Sequence, residues 1–515
     1  MMDTTKSPLT LAAVDLGATS GRVILGGVDG GVLKMKHIAR FPNAPLHLTE
    51  AAPTDRDSAA ESAPAEGLYW NITALYAALE DGLREAVRSA AELRSIGIDS
   101  WAVDYGMLRA GRLIGLPHHY RDRRTARGVA LVHERIDPAE LFARNGLQHL
   151  DFNTVFQLAA ESESGLLDAA DRILLVPDLI AYWLTGTART EATNASTTGL
   201  LGLDRRTWDR QLLELAGTDR SQLAELVEPG QTIGELTASA TQRLGADRPV
   251  KVTAVGSHDT ASAVVAVPFA SKDSAFISSG TWSLVGLELD EPVVTDAARE
   301  ANFTNEGGVD GTVRFLKNVS GLWLLSESMR HWHHNATDAQ RSADLQTLLV
   351  EAEAVTGQVP IFDPSDERFT PPGDMPGRIA DWCREHGLRP PTAQAEVVRS
   401  ILESLAEAYR QTIDAAEALT GVSVETIHIV GGGSQNALLC RLTAQRTGRT
   451  VIAGPVEATA IGNLLIQARA VGEVSPDASL SDLRTIVRNS FPVVEYSPHS
   501  AGTGESPAPT NAALI

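Results

Sequence analysis

The sequence predicts an α/β fold in two domains. Apolar, strand-like runs alternate with stretches of helical periodicity along the chain. Several of those runs end in glycine turns, as buried strands commonly do. At 515 residues the chain is also too long for one ordinary core.

The elements follow in order. The first apolar run, 9–16, reads as a buried strand ending at Gly17, and "GRVILGGVDGGVLKM" continues as strand, turn, strand. Residues 46–66 are rich in Ala, Ser, Pro and acid and read as a mobile surface loop. Helical periodicity covers 72–90, and a short strand follows at 95–98. "RILLVPDLIAYWLTG" (172–186) reads as a strand running into a buried helix. The polar stretch 230–249 marks a boundary between an N-terminal domain, 9–248, and a C-terminal domain, 249–475. Strand-like runs come next at 251–256, 274–278 and 282–288. A helix at 394–420 has Ala and Leu at three- and four-residue spacings. "TIHIVGGGSQN" (426–436) reads as a strand, a triple glycine, then a helix from Asn436. The segment 496–515 reads as a disordered tail.

Composition limits the functions available. The chain is 43% hydrophobic and 21% charged, with a formal charge of -21. That balance argues against a nucleic-acid partner, whose phosphates call for a basic face. Binding a small anion such as ATP then falls to backbone N–H groups, a metal ion and a few basic side chains. Two cysteines, Cys383 and Cys440, make neither a disulfide framework nor metal-ligand spacing. Reduced thiols are the expected state, which fits a cytoplasmic protein. No signal peptide and no bilayer-spanning apolar run is seen, so no membrane partner is expected.

Three segments share one design, a buried strand, a glycine turn, then a hydroxyl or amide: "AVDLGATSGRVIL" (13–25), "AFISSGTWSLVG" (275–286) and "HIVGGGSQNALL" (428–439). Glycine lets backbone N–H groups approach phosphate oxygens. None is the lysine-containing phosphate loop or the full dinucleotide fingerprint. In the first, Asp15 precedes the turn and is placed to hold hydrated Mg²⁺. Thr19, Ser20 and Arg22 are placed for phosphate oxygens. The same residues also read as a plain β-hairpin, and a hairpin tip can clasp phosphates.

"VTAVGSHDTASAVVAV" (252–267) sets His258 and Asp259 between two apolar runs. Asp259 reads either as a helix cap or as a catalytic carboxylate at the end of a buried strand. The stretch alone does not decide between them.

"AVDLGATSGR", "GSHDTASAV", "SSGTWSL" and "HIVGGGSQNALL", in this order, resemble the FGGY family of carbohydrate kinases, which has the actin-like ATPase fold. Further segments, among them "IGIDSWAVDYGML" (96–108), "GLPHHYRDRRT" (115–125), "NFTNEGGVDG" (302–311) and "KNVSGLWLL" (317–325), narrow the resemblance to members acting on L-rhamnulose. It spans roughly 9–490 and implies two ribonuclease-H-like domains flanking a catalytic cleft. It implies phosphoryl transfer from ATP, with Mg²⁺, to the 1-hydroxyl of that sugar. Sugar and ATP are then the partners, on a monomer or small homo-oligomer. By the resemblance Ala18, Thr19, Ser20, Gly21, Arg22 and Thr281 face the ATP phosphates. Ser326 and Gly431, Gly432 and Gly433 border the nucleotide. Asn318, His258 and Thr260 contact sugar, and Asp259 is the general base.

Asp104, between a strand and a loop in "WAVDYG", reads as fixing sugar hydroxyls, with a local turn bond as the alternative. Trp101 reads as core, with stacking on a sugar face as the alternative, and the "HWHH" cluster at 331–334 reads as packing or surface. Two positions depart from the family: Ala102, in the sugar pocket, stands where glycine is more frequent, and Ser326 where a longer polar residue is common. Two other functions fit the same loops: a kinase for another ketose such as L-fuculose or xylulose, and a non-catalytic actin-like nucleotide-binding regulator. "GSHDTAS" separates them, because a non-catalytic relative needs no base there.

Overall fold

The computed structural model describes residues 9–50 and 65–499. Two mixed sheets organise the chain. The first has the strand order Thr232–Glu235, Lys251–Thr253, Ser95–Ser100, Leu11–Leu16, Ser20–Asp29, Val32–Pro42. The second runs Thr304–Gly307, Val313–Ser320, Trp282–Leu289, Ser274–Ser279, Thr426–Val430, Thr450–Ala453, Val494–Tyr496. Both contain the same unit. Three antiparallel neighbours begin at a central strand, Leu11–Leu16 or Ser274–Ser279, and two parallel strands lie on that strand's other side. This is the ribonuclease-H-like arrangement, made twice.

The central strands read as near-continuous apolar runs because both faces are covered. Every residue of Leu11–Leu16 is buried, Asp15 included. Helix Ile72–Ser89 covers one face of the first sheet with Leu75, Leu79 and Leu83, spaced for a single stripe. Helix Gln394–Thr420 does the same for the second with Val398, Ile401, Leu405 and Tyr409. A third cluster lies between the sheets, where Leu11, Ala13 and Ile24 meet Ala263, Val264, Phe276, Ile461 and Leu464. Helices Asp259–Val265 and Ala458–Val471 cross there at close range. A Cβ on Gly462 would run into the backbone of Ser262, so glycine at 462 sets how closely the two helices meet.

Three expectations change. The strand at Lys251–Thr253 lies after the boundary read at 249, yet it pairs parallel to Ser95–Ser100 in the first sheet. Residues at both ends of the surface loop read at 46–66 are strand. Pro45–Glu50 pairs antiparallel with Ala65–Trp70, and the rest of that loop falls outside the described residues. Of the two, only "PLHLTE" alternates apolar and polar residues, and the Ala, Ser, Pro and acid composition of the connection outweighed that short signal. Tyr496, placed at the start of the tail, closes the edge strand of the second sheet, and residues 500–515 fall outside the described residues.

Candidate active site

A cavity of about 400 Å³ opens between the sheets, where the ends of their central strands face each other. Ala18, Thr19, Ser20 and Arg22 line it from the first hairpin, and Gly280, Thr281, Gly431 and Gly432 from the second domain. Trp101, Ala102, Tyr120, Gln148 and Phe152 form another wall, with Asn318 and the His258–Thr260 turn. The glycine turn at 431–433 has a steric reason. Gly431 has φ +80°, and a Cβ there would press on the Ser279 carbonyl oxygen at 2.9 Å. A Cβ on Gly432 would meet nothing within 4 Å, so the chain leaves open space on the cavity side.

Asp259 is not a cap. Helix Asp259–Val265 takes His258 as its N-cap residue, without a side-chain cap hydrogen bond. The Asp259 carboxylate is one-third exposed, accepts from the Thr260 hydroxyl at 3.0 Å and lines the cavity. The turn before it is anchored from below. Glu191 is fully buried, and its Oε2 accepts from both Ser257 N (2.9 Å) and Ser257 Oγ (2.8 Å). A buried carboxylate with several donors is a rigid support, and here it fixes where Asp259 starts its helix.

Asp15, the last residue but one of its strand, lines the cavity floor and lies directly opposite Asp99 on the neighbouring parallel strand. Burial raises Asp15 to about 6; Arg22 pulls the other way, and Asp259 and Glu457 add to the rise. Burial and the Asp15 charge raise Asp99 well above the carboxylate range. Arg22 is committed on both sides, its Nε 2.9 Å from Asp15 and its Nη1 2.6 Å from Glu457. Arg40, which lines the same end of the cavity, has no side-chain hydrogen bond or ion pair among the described residues.

Asn318 is oriented across the cleft. Gln148 Oε1 accepts from its backbone N at 2.9 Å and from its Nδ2 at 3.0 Å, which turns Asn318 Oδ1 away from Gln148.

Not every expected residue lines the cavity. Asp104 is 1% exposed, and its carboxylate accepts from Trp70 Nε1 (2.6 Å), Gln157 Nε2 (2.8 Å), Trp101 Nε1 (3.0 Å) and Tyr120 N (3.1 Å). Its oxygens are taken, so it holds the wall instead of touching the cavity. Trp101, read as core, is buried and also lines the cavity. Gly21 sits within the hairpin, where a Cβ would collide with the Phe41 ring, and Gly433 packs on Ser279. Ser326 is exposed on helix Trp323–Trp332 and is not a lining residue. Sequence reasoning missed Gln148, Glu191, Glu306 and Arg314. The last two left a signal, a charged residue inside each of the strands "TNEG" and "VRFLKNVS".

His118 and His119 stand behind the aromatic wall, His119 stacked on Trp70 at 4.0 Å. Burial lowers both from 6.5 to about 3, with Arg124 adding to the first and Arg121 to the second. The unfolded chain takes up these protons below about pH 6.5 and the folded chain does not until about 3. The stability they contribute is therefore intact above pH 6.5 and lost as pH falls below it, by about 1 kcal/mol per histidine per pH unit. Thermal unfolding followed between pH 7 and 5 should show that loss. His119→Asn, which keeps an acceptor for Arg121 N, should flatten the slope.

Known proteins resemble the chain throughout. Residues 10–266 match the N-terminal domain of the FGGY family of carbohydrate kinases, and 275–471 its C-terminal domain. A rhamnulokinase of Bacteroides thetaiotaomicron is 40% identical over 94% of this chain and 95% of its own. A rhamnulokinase of Pectobacterium carotovorum is 40% identical over 95% and 93%. Among solved structures, the ligand-bound xylulose kinase of Lactobacillus acidophilus superposes with a TM-score of 0.71 at 15% identity, covering 95% of this chain and 93% of that one. The Plasmodium falciparum glycerol kinase with ADP does so with a TM-score of 0.68 at 14% identity, covering 94% of each. At those identities the structures speak to the fold alone.

Proposed function

The chain belongs to the FGGY family of carbohydrate kinases, and on that premise we propose that it transfers the γ-phosphoryl group of ATP to the 1-hydroxyl of L-rhamnulose. The products are L-rhamnulose 1-phosphate and ADP. The observation that carries the reading is Asp259, a carboxylate at a strand-to-helix turn that caps nothing and faces the cavity between two glycine-turn walls. Phosphoryl transfer to an alcohol asks for alignment, charge neutralisation and a proton acceptor. In this reading Asp259 takes the proton of the attacking hydroxyl. Thr260, donating to its Oδ1, holds it in place. Asn318, His258 and Ala102 border the sugar. Thr19, Ser20, Thr281 and the open side of Gly432 take the phosphates and nucleotide. Arg22 is neutralised by Asp15 and Glu457, so Arg40 is the guanidinium left for the phosphates.

The first-sheet floor fits Mg²⁺. Asp15 and Asp99 are adjacent and buried, and Asp99 Oδ1 has no hydrogen-bond partner. Hydrated Mg²⁺ needs only one or two carboxylates, and among the described residues no larger cage of His, Cys, Asp or Glu exists. Asp15 would hold the ion, which when bound neutralises charge on the β- and γ-phosphates. Among the described residues no helix is long and apolar enough to cross a membrane. We place the enzyme in the cytoplasm, as a monomer or small homo-oligomer.

The test is sugar-dependent ADP release with Mg-ATP over L-rhamnulose, L-fuculose, L-xylulose, L-ribulose, D-xylulose and glycerol. L-Rhamnulose should give the highest kcat/KM. Preference for another ketose would move the substrate, with Ala102 the first position to exchange for glycine. No sugar-dependent turnover would leave a nucleotide-binding regulator.

A further inference from the structure

A second cavity, of about 110 Å³, lies beside the first and shares Leu147, Gln148 and Asn153 with it. It has room for about four waters or one small organic molecule. Most of its wall belongs to the first domain, and Arg299 and Asn302 reach it from the second. The two domains are joined at this spot. Asn302 Oδ1 accepts from His149 N at 2.9 Å, and the Gly146 carbonyl accepts from Asn305 N at 2.9 Å and Asn305 Nδ2 at 3.0 Å.

The cavity is lined by donors that lack acceptors. Asn145 is 7% exposed; its Oδ1 accepts from Leu147 N, and its Nδ2 donates to no group among the described residues. Gln148 is 4% exposed; both of its bonds with Asn318 use Oε1, and its Nε2 likewise donates to no group among the described residues. Arg299 Nε is buried without a hydrogen-bond partner, as is His133 Nε2. The guanidinium's one side-chain hydrogen bond is long, 3.4 Å from Nη2 to Glu300. Asp296 lies 3.6 Å from Nε, but it and Glu300 are largely exposed, so water screens their hold on the charge. Polar groups this deep rarely go unpaired.

Three donors around one small cavity call for a ligand that accepts. The apolar part of the wall, Leu141, Phe142 and Phe156, calls for a short carbon chain on that ligand. We propose that this cavity is a binding site for a small carboxylate of about two to four carbons, held by Arg299, Asn145 and Gln148 and coupled to the sugar site through Gln148. Inorganic phosphate would suit the donors but leave the apolar wall bare. The coupling follows from Gln148 lining both cavities. A carboxylate that accepts from its Nε2 fixes the amide plane, and with it the Oε1 that orients Asn318. The carboxylate then raises affinity for sugar, and by linkage sugar raises affinity for the carboxylate by the same factor. The coupling rests on the reading of Asn318 as a sugar contact; the binding itself does not.

The test is ligand-detected saturation-transfer NMR of the full chain with acetate, propionate and L-lactate, and separately with inorganic phosphate. Propionate and L-lactate should bind saturably without sugar or nucleotide present. Arg299→Gln should weaken that binding about tenfold, as loss of one charged hydrogen bond does. Asn145→Asp keeps the acceptor for Leu147 N and should weaken it at least as much by repelling the ligand. In Arg299→Gln, kcat and KM measured without carboxylate should be unchanged, because Arg299 does not line the first cavity. No saturable binding of any carboxylate, binding of phosphate alone, or binding that neither variant weakens would overturn the site. Saturating propionate should lower KM for L-rhamnulose about fivefold in the unmodified chain and leave it unchanged in Arg299→Gln. An unchanged KM in the unmodified chain would overturn the coupling. If the carboxylates bound as expected and no sugar were turned over, the site would stand and the kinase reading would fail.

Discussion

Asp259→Asn should cost about 10² to 10⁴ in kcat while leaving the protein as stable as before. The two halves of that expectation come from one geometry. The carboxylate accepts no backbone N–H of the helix it opens, so the roughly 1 kcal/mol that a lost cap removes is not at stake. Replacing a charge that adds to the rise at buried Asp15 should not weaken the fold either. Asparagine keeps the shape and the bond from Thr260 but cannot accept a proton at neutral pH. The measurement is kcat under saturating Mg-ATP and sugar, paired with the melting temperature. A stability loss with near-native kcat would return Asp259 to a structural role.

Asp104→Asn should do the reverse and act mainly on stability. Four donors converge on this carboxylate: two indole N–H groups, one side-chain amide and one backbone N–H. Burial raises it to about 6, and the bonds from Trp70, Gln157 and Trp101 oppose the rise. An asparagine turns its NH₂ toward one of those donors and leaves both unsatisfied in the interior. Each such buried orphan costs about 1–3 kcal/mol, so a loss of about 2–5 kcal/mol in unfolding free energy is expected in urea denaturation. Because Trp101 and Tyr120 line the cavity, KM for sugar should rise, with kcat the less affected. A variant of native stability with a large KM change would restore Asp104 as a direct sugar contact.

These two aspartates mark what the sequence makes legible. Both stand a few residues after a strand, and from the sequence both read as site carboxylates. What separates them is which groups from distant segments meet them. Trp70 and Gln157 lie 34 and 53 residues from Asp104, and no local pattern announces that they converge. The glycine turns were legible because a tight strand-end turn leaves few residue choices. Within them, only folding distinguishes Gly432, open to the cavity, from Gly433, pressed on Ser279. Arg22 read as a phosphate ligand because its hairpin tip suits one, yet Glu457, 435 residues away, shares its charge. The alternation of strands and helices was enough to expect two α/β domains. The pairing of Lys251–Thr253 with the first sheet required the third dimension.

The central claim is that this cleft joins the γ-phosphoryl group of ATP to the 1-hydroxyl of L-rhamnulose. The measurement that tests it most directly is phosphorus–proton correlation NMR of the product formed by the unmodified protein from L-rhamnulose and Mg-ATP. The account predicts one phosphomonoester, coupled to the C1 methylene protons and formed in step with ADP. Inorganic phosphate without an ester, or an ester on any other carbon, would contradict it.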